Sequence, residues 1–333
     1  MYVGKHLHFR IVLQFSWKSI VAFTCYSSII VYVLYDLLPK FNGLPFAIIS
    51  VTGIAVAFYV GFKNNSSYER LWEARKIWGA YVNSSRIFAM YVLDFINPNE
   101  NISAGELDAY KHKLIKRHIA YITAVRLQLR KHTVWKIEEV GNRIVTADTN
   151  FSSERLDKEL SEYMEHAEVE EVIAQSNPGV HIIKKQSEDL QLLYTKKCMT
   201  AYHHVEISKM LADFYNQQGA CERIKGFPFP RQYAYYSKLF VYLLIGILPF
   251  SIYSELSKLD EMLVWLTIPI SVTLSWIFYM MEIVGDSSEN PFENAINDVP
   301  MTAICRTIEI DLLQLLKEKQ VPQRIKAENN ILM

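Results

Sequence analysis

The chain has 333 residues, of which half are hydrophobic and 21% are charged, and its 35 basic side chains balance its 35 acidic ones. The lack of a basic excess gives no indication of a nucleic-acid partner, and four scattered cysteines without a C-x-x-C pair exclude a disulfide framework and a cysteine zinc site. This average composition fits a uniform soluble domain as well as a membrane domain joined to a polar one, so the distribution of apolar residues has to decide between them.

Apolar residues are concentrated in four segments that carry almost no charge. A helix that crosses a hydrocarbon core of ~30 Å needs about 20 mostly apolar residues. Two segments meet this length, one nearly does, and one reaches it with its aromatic flank at 233–236. The sequence therefore predicts four transmembrane helices, which lie at 20–38, 44–62, 239–253 and 262–281.

The Lys and Arg residues around these segments predict how the chain is oriented. The first hairpin has only Lys40, and the second, near 254–261, has only Lys258 among three acidic residues. Basic residues outnumber acidic ones at 63–135, which follows the second span. Both termini and the long central connection are therefore predicted to be cytoplasmic, in a multi-pass protein of the inner membrane with both hairpins outside.

The junction after the second span, at 63–79, passes abruptly from uncharged to highly charged sequence. Trp72 and Trp78 suit a membrane interface, where aromatic rings meet lipid headgroups. The acidic side chains of the junction are predicted to pair with basic neighbours one helical turn away. Such pairs would join Glu69 and Glu73 to Arg70, Arg75 or Lys76.

Helical patterns and breaks alternate in the rest of the chain. The predicted helices between the second and third spans lie at 66–96, 109–132 and about 187–219. The predicted breaks lie at 97–108, 176–180 and 226–230. After the fourth span, Asp298 followed by Pro300 predicts another helix start.

Two of these regions carry opposite charge. Residues 109–132 are strongly basic, and residues 146–175 are strongly acidic. The simplest interpretation is that both are solvated helix faces. The alternative is a charged vestibule that concentrates ions near an opening.

No motif of enzyme chemistry occurs in the chain. It has no G-x-G-x-x-G, P-loop, H-E-x-x-H or G-x-S-x-G pattern, and its nine histidines form no ligand-spaced cluster. A membrane enzyme would need a polar catalytic group within the spans, and only Asp36 and Glu282 are candidates. The sequence therefore predicts a protein without catalytic residues and without a cofactor.

The second span carries a row of bulky apolar side chains at helical spacing. Ile54, Phe58 and Phe62 lie at i, i+4 and i+8, a stripe about 12 Å long. Small residues, Gly53 and Gly61 among them, surround the row and would let other membrane helices approach closely. The row could face lipid or the core of its own subunit. It could also form a hydrophobic constriction around an axis between several copies, which can gate by dewetting.

Three motifs together carry a resemblance to a known family. Their sequences are "GFKNNSSYERLWEARKIWG" leading into "NSSRIFA", then "GACERIKGFPFP", then "ENPFENAINDVP". In this order and spacing they resemble the bestrophin family in its bacterial form, over about 1–95 and 187–320. The resemblance implies an all-α membrane protein that assembles as a homopentamer around a central pore, with four transmembrane helices per subunit and a helical cytosolic domain. It also implies a narrow hydrophobic neck, and counting back from the Arg70–Trp72 motif places Ile54, Phe58 and Phe62 there.

The family resemblance also implies a second, cytosolic constriction on the long helix before the "CERI" motif. Counting back from Pro230 places it near Tyr202, and His203 or Val205 could take this position instead. The corresponding division of the chain has four parts. These are an N-terminal segment with the first two spans (1–62), a helical cytosolic region (63–232), the last two spans (233–282) and a cytosolic tail (283–333).

Animal members of the family have a calcium site just after the fourth span. Here the corresponding loop keeps Asn290 and Asp298 but has Ser287 and Ala295 at positions that supply ligands in the animal form. Because Ca²⁺ takes six to eight oxygen ligands, several of them carboxylates, the loop offers too few acids. We therefore expect no bound metal there and no calcium gating of the animal type.

The row of Phe58 and Phe62 leaves the permeant ion open. Aromatic rings have electropositive edges, so rings placed edge-on to an axis favour anions, whereas rings placed face-on favour cations. Bestrophins are mostly described as anion channels, so the resemblance favours chloride. The alternatives are a sodium or other monovalent cation channel of the same architecture, and a non-conducting membrane scaffold or sensor. The partners expected in each case are further copies of the chain and membrane lipids.

Overall fold

The computed structural model describes residues 1–4, 9–38, 44–131, 152–328 and 330–332. Within these ranges the chain forms ten α-helices and no β-strand, and its strand-like pairing consists of isolated bridges such as Tyr2 with Ile331. The predicted all-α class is therefore confirmed. The predicted first hairpin around Lys40 and the beginning of the acidic segment, at 146–151, lie outside the described residues.

The helices follow one another along the chain with short connections. Helix α1 (Phe9–Tyr32) continues into a π-helical turn (Val33–Leu37), and a 3₁₀ turn (Glu261–Leu266) precedes α9. The other bounds are α2 (Phe46–Phe95), α3 (Ala104–Leu129), α4 (Ser153–Leu160), α5 (His166–Ile173), α6 (Pro178–Thr195), α7 (Ala201–Gly226), α8 (Arg231–Ser257), α9 (Thr267–Ser288) and α10 (Met301–Leu315).

The chain packs as two compact units. The membrane unit comprises Gly4–Leu71 and Pro228–Asn290, and the polar unit comprises Met1–Val3, Trp72–Phe227 and Pro291–Met333. Helix α2 is continuous from one unit into the other, so the separate helix predicted at 66–96 is a continuation of the second span.

The membrane unit holds all or part of the four helical segments in the described ranges that are long and apolar enough to cross a bilayer, as the sequence predicts. These segments are Ser16–Leu37, the helix Phe46–Phe95, Arg231–Ser257 and Glu261–Ser288. Its main core joins side chains of α1, α2 and α8, with Phe23, Val60 and Leu244 among those that are buried. Because backbone groups must be satisfied inside each span, helices are the expected solution in lipid.

In the polar unit, α3 is the central helix and packs against α4, α6, α7 and α10. Every side chain from Arg117 to Leu127 is buried, which is the pattern of a helix surrounded on all sides. His118 lies among the rings of Phe88, Tyr121 and Phe214, and burial lowers its pKa to about 3, so it remains neutral. His118 is therefore a packing residue of the polar unit.

Two arginines of α3 are buried rather than solvated, so the predicted solvated face is wrong for them, whereas Lys113 and Lys116 are partly exposed. Arg117 is buried and bonds Glu168 of α5 and Asp189 of α6, each at 2.6 Å. Arg126 is also buried and pairs with Glu159 of α4. The basic and acidic segments thus neutralise each other inside the unit, and these arginines are unavailable to a charged vestibule.

The long helix predicted at about 187–219 is interrupted. Helix α6 ends at Thr195, and Lys197 has a left-handed backbone (φ 60°). Helix α7 begins at Ala201, where the hydroxyl of Thr200 caps it by accepting a hydrogen bond from the backbone N–H of His203. The break predicted at 176–180 lies slightly earlier, between the end of α5 at Ile173 and the start of α6 at Pro178, which Asn177 caps. The breaks predicted at 97–108 and 226–230 are confirmed in part, because α3 already begins at Ala104 and α7 extends to Gly226.

The junction after the second span also differs from the prediction. Trp78 is fully buried against Tyr81, so it does not lie at a membrane interface, whereas Trp72 is exposed. Glu69 accepts a hydrogen bond from Asn65, and Glu73 pairs with a residue of α7, Arg223, rather than with a neighbour on its own helix. Glu69 is therefore bonded within one turn by an uncharged side chain, and a tertiary partner takes Glu73.

We predict that Arg117→Met destabilises the polar unit by about 3 kcal/mol, because it leaves Glu168 and Asp189 without their buried partner. The exposed pair of Lys184 and Glu188 provides the control, and Lys184→Met should cost less than about 0.5 kcal/mol. Thermal unfolding of purified protein in detergent measures both changes.

The same pair predicts how stability changes with pH. Burial acts to raise the pKa of Glu168, but the hydrogen bonds from Arg117 and Lys113 outweigh it and hold this pKa below its usual value. The stabilisation from this pair is therefore complete above the unfolded-state pKa of about 4.3 and is lost as the pH falls through the lower, folded-state pKa. An Arg117→Met protein as stable as the parent at neutral pH would contradict the assignment.

Candidate functional site

The membrane half of α2 has one buried face and one exposed face. Val56 and Val60 are buried in the core of the membrane unit. Ile54, Phe58 and Phe62 lie on the opposite side and are 71%, 69% and 54% exposed. The possibility that this row lies in the core of its own subunit is therefore excluded, and lipid or other copies of the chain remain as its surroundings.

The exposed row is a continuous apolar surface. The rings of Phe58 and Phe62 meet edge to face, with centroids 5.1 Å apart and planes inclined by 61°. Such contacts between aromatic rings are favourable and hold the two rings in one arrangement. The row is therefore preorganised as a unit before any neighbour packs on it.

The small residues beside the row have no packing role within the chain. A Cβ added to Gly53 or Gly61 would meet nothing within 4 Å. Glycine at such positions lets another membrane helix approach the backbone closely. The open space next to these glycines leaves room for lipid or for a helix of a further copy of the chain.

A cluster of charged side chains follows directly on the row. Lys63 is fully buried, and its ammonium group bonds the carboxylates of Glu282 and Asp286 on α9. Glu282 also accepts a hydrogen bond of 2.6 Å from Ser237 on α8. We call these four residues the Lys63 cluster.

Sequence reasoning missed the Lys63 cluster, although it noted Glu282 as a polar residue within a span. The available signal was that Glu282 and Asp286 are one helical turn apart at the end of an apolar segment. Ionisable residues in such segments are rare and usually paired. The position of the partner, 219 residues away along the chain, carries no local signal.

The proposed second constriction falls at the start of α7. Tyr202 and Val205 are three residues apart and both exposed, so they share one face of the helix. His203 instead stacks on Phe95, with ring centroids 4.3 Å apart. The structure thus brings Tyr202 and Val205 together on an open surface and turns His203 towards its own polar unit.

Asp298 is a structural residue of the loop after the fourth span. Its carboxylate is buried and accepts hydrogen bonds from the backbone N–H groups of Phe292, Asn294 and Val299 at 2.6–2.8 Å. Burial raises its pKa, although Arg130 at 3.5 Å acts in the opposite direction. Asp298 therefore fixes the loop that leads into α10, whose predicted start is confirmed at Met301.

The remaining features of this loop give no metal site in the described part of the chain. Phe292 and Asn294 both have positive φ angles, of 77° and 63°, and the carboxylate of Asp298 compensates for this turn by binding their N–H groups. Asn290 is half-buried. Among the described residues, no group of three or more His, Cys, Asp or Glu side chains could hold a metal ion.

Comparisons with known proteins agree on one family. The sequence profile of the family described as "Bacterial/Fungal Bestrophin protein" matches residues 7–314. The chain is 27% identical over 291 residues to the voltage-dependent anion channel-forming protein YneE of Escherichia coli (strain K12). This alignment covers 87% of this chain and 82% of that protein. A second such protein, alr2987 of Nostoc sp., is 27% identical over 78% of this chain and 74% of its own length.

Among solved structures, a bacterial bestrophin homologue from Klebsiella pneumoniae has a similar fold. The TM-score is 0.74 at 25% sequence identity, and the match covers 90% of this chain and 98% of that one. The fold of the described chain is therefore that of a solved membrane protein over nearly its whole length.

We predict that calcium does not regulate this protein through the loop after the fourth span. Ca²⁺ needs six to eight oxygen ligands, and the carboxylate of Asp298 is already engaged by three backbone groups and Arg130. Ion flux into liposomes containing the protein should be the same in a calcium chelator and in added calcium. Reversible activation by calcium would contradict this prediction, and empty liposomes provide the control.

Proposed function

The chain belongs to the bacterial and fungal bestrophin family, and on this basis we propose that it is the subunit of a homopentameric channel that conducts chloride passively across the membrane. Relatives named as anion channel-forming proteins support this proposal. The chain is an integral membrane protein of a channel family rather than an enzyme.

The observation that carries the proposal is the exposed apolar row on α2. Three bulky side chains face away from the membrane unit that carries them, next to glycines with open space beside them. A single copy gains nothing from this arrangement beyond contact with lipid. Five copies around an axis would turn the same row into three stacked apolar rings, a neck formed by Ile54, Phe58 and Phe62.

The chemistry of such a neck accounts for conduction without catalysis. An apolar constriction opens and closes to ions by wetting and dewetting, and it needs no binding residue. Aromatic edges carry partial positive charge, so the Phe58 and Phe62 rings would stabilise a dehydrating chloride ion if their edges point to the axis. In the polar unit, Tyr202 and Val205 would form the second constriction in the same way.

The orientation of the channel follows from the positive-inside rule. The basic residues before the first span and after the second one favour the cytoplasm for the polar unit and both termini. In the proposed location, the inner membrane, Lys258 and its acidic neighbours would lie outside. The second constriction would then lie on the cytoplasmic side.

The experiment that tests the proposal is a reversal-potential measurement on purified protein in planar bilayers under asymmetric NaCl. A chloride channel reverses near the chloride equilibrium potential. Reversal that follows the sodium gradient would establish a monovalent cation channel instead. The absence of any salt-driven flux would leave a non-conducting scaffold, and a mass in detergent other than that of five copies would refute the pentamer.

A further inference from the structure

The Lys63 cluster is the most strongly buried group of charges in the membrane unit. One ammonium group, with no exposed surface, lies between two carboxylates of α9, and α8 adds the hydroxyl of Ser237. A buried charge is tolerated only when it is paired and hydrogen-bonded. The cluster therefore ties α2 to α8 and α9 with directional bonds, which the surrounding apolar packing lacks.

The lack of a side chain at Gly285 lets α9 approach α2 closely beside Lys63. A Cβ added to Gly285, which lies between the two carboxylates in sequence, would overlap the amide oxygen of Asn64 and come within 3.6 Å of the Lys63 side chain. The amide of Asn64 donates a hydrogen bond of 3.0 Å to the backbone oxygen of Met281. The close approach of α2 and α9 is thus centred on Lys63 and its neighbour.

Lys63 directly follows Phe62 along α2, so the position of Lys63 affects the direction in which the exposed row projects. Neighbouring residues on an α-helix project about 100° apart. When Lys63 is fixed in the core of its unit, the rotation of α2 about its own axis is fixed as well. The direction in which Phe62 and Phe58 project is set by the same bonds.

We propose that Lys63 is a positioning residue for the neck. Its ammonium group, held by Glu282 and Asp286, fixes the rotation of α2 and compensates one of the two negative charges that lie beside the residue directly after the row. This inference rests on the proposed function, because it assigns the neck to Phe58 and Phe62. It names the group that keeps the neck in register and reduces the negative charge beside α2 at the end of the row.

The proposal predicts a proton requirement once the lysine is removed. Without the ammonium group, two close carboxylates share a buried site, and like charges there favour protonation of at least one of them. In the parent protein the ammonium group of Lys63 lies between the two carboxylates and offsets their repulsion. The ionisable groups around the two carboxylates are Tyr242 and Lys238 from α8, Tyr279 and Glu289 from α9 and its end, Arg70 from α2, and Arg231 at the start of α8.

The test compares Lys63→Met with Lys63→Arg and with Lys76→Met, a change of the same kind at an exposed position of α2. Conductance and reversal potential of each protein are recorded in planar bilayers at neutral pH and at about pH 5. In Lys63→Met, chloride conductance should fall on the order of tenfold at neutral pH and recover at the lower pH. Lys63→Arg and Lys76→Met should behave as the parent does at both values.

A purely structural role for Lys63 would give a different result. A Lys63→Met protein that conducts as the parent does at both pH values would overturn the proposal. So would a loss of conductance that acid does not restore in protein that retains the parent's mass in detergent. If Lys63→Met does not assemble, the triple variant Lys63→Met, Glu282→Gln, Asp286→Asn removes every charge of the cluster. This triple variant should have a conductance that differs from the parent's and does not depend on pH. A conductance equal to the parent's would refute the inference.

These measurements distinguish a failure of the proposed function from a failure of the inference about Lys63. If the parent protein does not conduct, or conducts sodium, the proposed chloride channel fails whatever the variants do. If the parent conducts chloride and the Lys63 variants match it, the inference alone fails.

Discussion

The pairing of buried charge at Lys63 is the constraint on which the membrane unit depends. Residues 44–62 carry no charge, and the first ionisable group after them is turned into the protein rather than towards water. A buried ammonium group needs carboxylate partners, and Lys63 has them in Glu282 and Asp286. Lys63 lies on the same side of α2 as the buried Val56 and Val60, and the row of Ile54, Phe58 and Phe62 is exposed on the other side.

The polar unit follows the same physical rule with different residues. Arg117 and Arg126 of the central helix α3 are buried, and acids from α4, α5 and α6 neutralise them. Charges that composition alone would assign to solvent thus hold the interior together in both units. Large apolar groups remain exposed on several helices of both units, and those on α2 and at the start of α7 include the positions proposed to line the pore.

Local patterns in the sequence were sufficient for the spans, the exposed row and most helix ends. Apolar length predicts the spans, and a spacing of four residues predicts a common face for Ile54, Phe58 and Phe62. The same patterns could not show that Lys63 or Trp78 is buried, because burial depends on partners distant in sequence. For Trp78 a weak signal existed, since Ala74, Tyr81, Ser85 and Phe88 recur on its face and are all buried. The break between α6 and α7 has no glycine or proline to mark it, and only the capping residue Thr200 could have indicated it.

The most direct test of the account is whether Phe58 faces the ion pathway. A Phe58→Cys protein should lose its current when a negatively charged, water-soluble thiol reagent is added, because the new thiol would lie in the path of the anion. The parent protein with its own four cysteines, and Leu243→Cys on α8, where the native residue is as exposed as Phe62, should be unaffected. If Phe58→Cys keeps its full current under conditions that modify exposed thiols, the row does not line the pore.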